Sequence, residues 1–260
     1  MDANGAKATD RQVKSLHTGG ARTTILLTNR LGNFFRRMIA YLVSWIYDYL
    51  NPSAKNYRDV PLSPRCDARL AEVGRKTMVL DLDETLIHAC ISGYSAQKTG
   101  CLCRVPEHIE PDFVISVDYG RDKLVPIRVF KRPHVDTFLN LVTKWYDVVI
   151  FTASLEDYAN QVLDVLDAGR GILNRRYYRQ HCRADKFLTK DLNILGTDIG
   201  RTFIIDNLPK AYAHFPNNAL PIKSFFYDPE DIELLKILPF LDALRFTNDV
   251  RSVLGRRNYR

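Results

Sequence analysis

The stretch Thr77-Met-Val-Leu-Asp-Leu-Asp-Glu-Thr-Leu86 constrains this chain more than any other, because an apolar run ends abruptly in two aspartates one residue apart, Asp81 and Asp83. A short, continuous apolar run bounded by polar residues reads as a strand buried on both faces, the kind found in parallel sheets. Open α/β sheets place their ligand crevice beyond the carboxyl ends of the strands, so both carboxylates would be presented there. One carboxylate in such a crevice can act as a nucleophile while its neighbour shuttles a proton. Taken alone, Asp-x-Asp fits equally well an Asp that ends a strand and a second Asp that caps a helix.

Two further segments repeat the design. Asp147-Val-Val-Ile-Phe151 stops at Thr152-Ala-Ser154, and Thr202-Phe-Ile-Ile205 stops at Asp206-Asn207. Wet loops explain polar strand ends in general, but not Asp, Thr and Asp-Asn at the same end of three strands that read as parallel neighbours. Between the second and third lies Lys190, in Phe187-Leu-Thr-Lys-Asp-Leu192, the one cation assigned to the site. A lysine is ordinarily a solvated surface residue, so this assignment leans on its company.

Charge decides what such a crevice could bind. Asp81, Asp83 and Asp206 would bring three negative charges together, and a phosphate monoester dianion adds two more. Without cations the carboxylates would take up protons instead. One Mg²⁺ with Lys190 restores the balance, and hard oxygen ligands with an Asn amide suit that ion. Cations there would also stabilise charge on a transferring phosphoryl group.

Asp81-Leu-Asp-Glu-Thr-Leu86, Thr152, Lys190 and Asp206-Asn207 resemble the four motifs of the haloacid dehalogenase superfamily. The form DLDETLIH at 81–88 resembles its branch of RNA polymerase C-terminal-domain-type protein phosphatases. Within that branch, Lys131-Arg-Pro-His-Val135, Trp145-Tyr146, Phe151-Thr-Ala-Ser154, Arg175-Arg-Tyr-Tyr-Arg-Gln-His-Cys182 and Leu241-Asp-Ala-Leu-Arg-Phe-Thr247 are similar to the nuclear-envelope members. The chain departs from the family at Leu208, where Ser is usual, in a segment 182–190 one residue shorter, and in an insert of its own at about 92–107. The resemblance implies that Asp81 attacks phosphorus and forms an aspartyl-phosphate, and that Asp83 protonates the leaving alkoxide and then activates water. It implies Mg²⁺ held by Asp81, the Asp83 carbonyl and Asn207, with Asp206 beside the ion. Thr152 would bond a phosphoryl oxygen, and Lys190 would contact phosphate and Asp81. The expected substrate is a protein phosphorylated on Ser or Thr.

The formal charge of +7 is unevenly placed: residues 1–58 hold nine Lys/Arg against three Asp/Glu, leaving the rest close to neutral. No dense basic run points to direct nucleic-acid binding. Residues 1–24 read as a disordered arm. Residues 25–52 read as an amphipathic membrane-associated helix, with Arg30, Asn33, Arg37, Ser44 and Asp48 on one narrow face and Phe35, Met38, Ile39, Leu42, Trp45, Ile46 and Tyr49 elsewhere. The uncharged run Met38–Tyr47 is half the roughly 20 residues a spanning helix needs, so the expectation is a helix lying in the headgroup region. The resemblance agrees, implying the endoplasmic reticulum or nuclear envelope, a catalytic domain facing cytosol or nucleoplasm, and room for a regulatory membrane subunit. Five scattered cysteines suit a reducing compartment, and His88, His134 and His181 have no zinc-site spacing.

The expected architecture is a three-layer α/β domain over 58–255, of FCP1-homology type, with a mostly parallel sheet. Its strands are expected near 77–81, 147–151, 202–206 and 222–226, and its helices near 134–145, 155–168 and 230–246. A small antiparallel insert over about 89–130, carrying Asp112–Val117 and Val125–Phe130, is too small to roof the site. An open site admits a phosphoprotein segment more readily than it selects a metabolite. Two other readings are a catalytically idle phosphatase-like subunit of the mitochondrial inner-membrane import machinery, and a nucleotide or sugar phosphatase. The intact acidic pair argues against the first and the missing cap against the second.

Overall fold

Strand β1 (Lys76–Leu80) is buried at every position, as a central strand must be when both faces of its sheet are covered. It lies between β5 (Tyr146–Phe151) and β9 (Thr202–Asp206), with β10 (Ala219–Pro221) and β6 (Arg176–Tyr177) at the edges, in the order β10-β9-β1-β5-β6. Every pairing in this sheet is parallel. The computed structural model describes residues 57–91, 105–118 and 124–256, so the expectations for the arm, for the 25–52 helix and for much of the insert lie outside the described residues. Among the described residues no helix is long and apolar enough to cross a membrane.

The period-two alternation of β1 sends its side chains to two cores. Helix α1 (Pro64–Val73) leads into β1, whose Met78 and Leu80 join Val148, Ile150, Phe203 and Ile205 in a large cluster with residues of α2 (Val135–Trp145), α3 (Glu156–Asp167), α4 (Glu233–Lys236) and α5 (Leu238–Leu244). Val79, Val149 and Ile204 face a smaller cluster with Leu192, Leu195 and Tyr212, closed by short 3₁₀ turns. The amphipathic spacing of Phe138, Leu139, Val142 and Trp145 turns one face of α2 inward.

The expected strand at 222–226 is displaced: β10 occupies Ala219–Pro221, and its last bond to β9 runs from the Ile222 N–H to the Asp206 carbonyl at 3.3 Å, where β9 itself ends. Residues 222–226 instead run past the crevice, where the Phe225 N–H donates to the Glu84 carbonyl at 2.8 Å. The expected helix at 230–246 is two helices broken at Ile237, because Pro239 fits only the first turn of α5 and cannot continue α4. The antiparallel insert is present, with β3 (Phe113–Asp118) on β4 (Leu124–Lys131), and gains an unexpected third strand, β2 (Ile87–Ile91). Cys90 on β2 is disulfide-bonded, against the expectation of thiols throughout, while Cys66 and Cys182 are free. Linear spacing carries no information on which cysteine a strand brings to a partner.

Candidate active site

Parallel alignment brings the carboxyl ends of β5, β1 and β9 side by side, and with them the residues that follow each strand. The Asp81 N–H donates to the Ile205 carbonyl at 3.0 Å, which carries the β1–β9 ladder one residue past the strand and fixes Asp81 beside Asp206. A turn then reverses the chain: Glu84 takes φ 56°, its N–H bonded to the Ile87 carbonyl at 2.8 Å. A left-handed glutamate is uncommon and persists only when its surroundings hold it.

Lys190 arrives from the hairpin of β7 (Arg183–Ala184) and β8 (Leu188–Thr189), its N–H tied to the Ala211 carbonyl at 2.7 Å. Its side chain is 2% exposed and its ammonium donates to Asp81 Oδ1 at 2.5 Å and Asp206 Oδ2 at 2.7 Å. Burial opposes the charged ammonium, yet the two carboxylates hold the Lys190 pKa above the ordinary value. Burial and the neighbouring Asp81 push Asp206 above the usual carboxylate range, against the pull of Lys190. The second oxygen of Asp206 accepts from the Leu208 N–H at 2.7 Å.

Asp83 has different company. Its Oδ2 accepts from the Ser154 hydroxyl at 2.6 Å, its Oδ1 from the Tyr158 hydroxyl at 2.5 Å, and Thr152 Oγ1 stands 3.5 Å away. Burial dominates its titration and, helped by the charges of Glu84 and Asp81, lifts it to about 6; the Ser154 and Tyr158 hydroxyls pull the other way. Thr152 is itself held by the Tyr177 carbonyl through its N–H and by the Ser154 N–H through its hydroxyl.

All six expected residues (Asp81, Asp83, Thr152, Lys190, Asp206 and Asn207) therefore belong to one hydrogen-bonded neighbourhood. Thr85 completes it: its hydroxyl lies 2.9 Å from Asp81 Oδ2 and 3.3 Å from Asn207 Oδ1, and one proton can serve only one of them at a time. Two hard oxygens that meet at one hydroxyl form a donor set suited to Mg²⁺. Both Asp206 oxygens are taken by N–H donors, which makes Asp206 a holder of Lys190. Among the described residues no three His, Cys, Asp or Glu side chains form a ready cage. An ion here would rely on Asp81, the Asn207 amide oxygen, a backbone carbonyl and water. Asn207 is oriented by its Nδ2 bond to Ser224 at 2.9 Å.

Sequence reasoning passed over Thr85 and Ser154, although both sit inside quoted motifs, four residues after Asp81 and two after Thr152. It also missed Arg132, which is 1% exposed. Its guanidinium forms a fork with Asp231 at 2.8 and 2.9 Å and donates to the Thr85 and Lys223 carbonyls at 3.0 and 2.9 Å. Arg132 thus clamps the Asp81–Thr85 turn to the 223–231 segment. Its partners lie far off in sequence, so no local signal could have paired them. His88 bonds Glu84 at 3.1 Å and His181 accepts from the Tyr178 N–H at 3.0 Å, both structural roles.

The family model of NLI interacting factor-like phosphatases matches residues 76–251. The CTD nuclear envelope phosphatase 1 homolog of Drosophila melanogaster is 56% identical over 203 residues, covering 77% of this chain and 80% of the relative. Its Caenorhabditis elegans counterpart is 47% identical, covering 87% and 90%. The CTD nuclear envelope phosphatase 1 of Xenopus tropicalis is 45% identical, covering 91% and 93%.

Proposed function

The chain belongs to the family of NLI interacting factor-like phosphatases, and from that premise we propose a Mg²⁺-dependent protein serine/threonine phosphatase that works through an aspartyl-phosphate and acts at the nuclear envelope or endoplasmic reticulum. The observation that carries the reading is the unequal environment of the two aspartates. Asp81 is buried, paired with the Lys190 ammonium and steadied by the Thr85 hydroxyl, which aim its carboxylate as a nucleophile requires. Asp83 keeps some exposure, and two hydroxyls fix its carboxyl where a leaving oxygen or a water could meet it.

An Asp81 oxygen attacks phosphorus while the bond to the serine or threonine oxygen breaks, and Asp83 delivers its proton to that oxygen. Asp83, now ionised, takes a proton from water, which attacks the aspartyl-phosphate and releases phosphate with Asp81 restored. Lys190 offsets the charge that collects beside Asp81, and Thr152 offers a donor to a phosphoryl oxygen. Bound Mg²⁺ would add Lewis-acid stabilisation of phosphoryl charge, held by Asp81, the Asp83 carbonyl and Asn207, with Asp206 beside it. The absence of a large cap over the described crevice favours a protein segment as substrate. The names of the relatives and the apolar, basic residues 25–52 support the membrane assignment. An intact constellation weighs against a catalytically idle subunit.

The test is hydrolysis of serine- and threonine-phosphorylated peptides and of phosphatidate by the purified chain, with and without Mg²⁺. Mg²⁺-dependent turnover of the peptides, lost in Asp81→Asn, is the expected result. Preference for phosphatidate, or turnover indifferent to Mg²⁺, would overturn it.

A further inference from the structure

At the foot of the sheet, the end opposite the catalytic crevice, lies a cavity of about 180 Å³ walled by Arg75, Lys76, Lys144, Arg245, Trp145 and Tyr146. Four of these are cations and none is an acid. The carboxylates that pair with three of them stand outside the lining: Asp147 with Arg75 at 2.8 Å, Asp59 with Lys144 at 3.7 Å, and Asp242 with Arg245 at 2.7 Å.

Lys76 is the exception. It is 1% exposed, and among the described residues its ammonium makes a single hydrogen bond, to the Arg245 carbonyl at 2.6 Å. An ammonium carries three donors, so two find no acceptor among the described residues. Buried lysines are almost always paired, because an uncompensated charge is costly away from water. Burial, helped by the positive charges of Arg201 and Arg69, pulls its pKa down to about 8. A folded chain that keeps a cation buried among cations is arranged for an anion it does not itself supply.

We propose that this cavity binds a phosphate-bearing anion, held by Lys76 from within, by Lys144 from the rim and by the Arg245 donors not engaged with Asp242. Cations converging from three separate residues fit a tetrahedral dianion better than a planar carboxylate. Trp145 and Tyr146 supply an apolar wall for whatever carries the phosphate. Phosphate of this kind could come from a soluble ester or from a lipid headgroup. The second source is relevant because Tyr57, the first described residue after the basic, apolar N-terminal segment, packs edge-on against Trp145 at 5.6 Å and donates to Asp242 at 2.6 Å. The site is separate from the catalytic one: Lys76 opens β1, and Asp81 follows its end.

Trp145 is one of two tryptophans, so full-length protein carrying Trp45→Phe reports on the cavity by fluorescence. Three ligands are titrated: inorganic phosphate, glycerol 3-phosphate, and phosphatidylcholine vesicles with and without phosphatidate. The expected result is a saturable change in Trp145 emission that weakens about ten-fold in Lys76→Met, the loss of roughly one charge-assisted contact, and is unchanged in Lys190→Met. Lys144→Gln, an exposed change that leaves the core intact, should weaken binding by a smaller factor. Response to the two soluble anions identifies a soluble source; response only to phosphatidate vesicles identifies a lipid. No saturable response to any of them, equal affinity in the Lys76 and Lys144 variants, or a response abolished by Lys190→Met would overturn the proposal.

Discussion

Lys76 and Lys190 are 1% and 2% exposed, near opposite ends of β1, with the Lys190 ammonium the deeper of the two, and they solve the problem of a hidden charge in opposite ways. Lys190 meets two carboxylates, which raise its pKa; Lys76 meets one carbonyl, and burial with the charges of Arg201 and Arg69 lowers its pKa. The difference lies in which groups the strand ends bring together. At the carboxyl end, two adjacent strands end in aspartates, and the excess of negative charge requires a cation. At the foot, cations gather without such a demand, and among the described residues one of them has no carboxylate partner. Burial alone therefore does not predict what a lysine is for; the sign of its neighbours does.

The largest effect that could break this comparison is chemical. Asp81→Asn keeps the shape of the crevice but removes the attacking charge, so turnover of phosphopeptide should fall by at least about three orders of magnitude while the circular dichroism spectrum stays native. Retention of more than about a tenth of the activity would refute the nucleophile, since a group essential to covalent transfer cannot be spared so cheaply.

Lys190→Met tests the compensated end. Removing one partner leaves Asp81 and Asp206 facing each other in a buried site, a change worth about 3 kcal/mol before proton uptake relieves part of it. Denaturant midpoints should fall, and the loss should shrink at low pH as the carboxylates protonate. A midpoint equal to that of the parent at neutral pH would mean that the ion pairs are not formed.

Tyr158→Phe removes one of the two hydroxyls that bond Asp83. A hydrogen bond donated to the ionised form lowers a pKa, so its loss should raise the Asp83 pKa further. The acid limb of the pH profile for aspartyl-phosphate hydrolysis, the step in which Asp83 acts as a base, should shift toward alkaline pH, and its rate at mildly acidic pH should drop several-fold. An unshifted profile would separate Tyr158 from the proton shuttle.

The smallest effect is at the foot. Lys76 in the folded protein titrates near 8, below the ordinary lysine value, so the folded state carries a penalty at pH below 8 that disappears as pH rises toward the unfolded value. Stability should therefore rise between pH 8 and 10 by about 1 kcal/mol, allowing for solvent near the ammonium, and Lys76→Met should abolish that rise. Urea midpoints of the two proteins at pH 7.5 and 9.5 give the answer; parallel shifts would place the titration elsewhere.

The sequence by itself determined the central strands, the acidic pair and the polar strand ends, because each is written in a continuous run of residues. A buried parallel strand must be apolar throughout, and its end must change character where the crevice begins. That made Asp81, Asp83, Thr152 and Asp206-Asn207 legible one strand at a time, while position and charge balance pointed to Lys190 and the resemblance supplied its role. Tertiary structure alone decided which groups face each of them. Asp83 differs from Asp81 because Ser154 and Tyr158 reach it from the loop after β5 and from α3, not because the two carboxylates differ in sequence context. Arg132 reaches Thr85 and Asp231 across 47 and 99 residues, and Lys76 finds the carbonyl of Arg245 across 169. The placement of β10, the break at Ile237 and the third strand of the insert were likewise set by partners remote in the chain. Charge compensation is a property of distances in space, and a sequence fixes those only once the chain has folded.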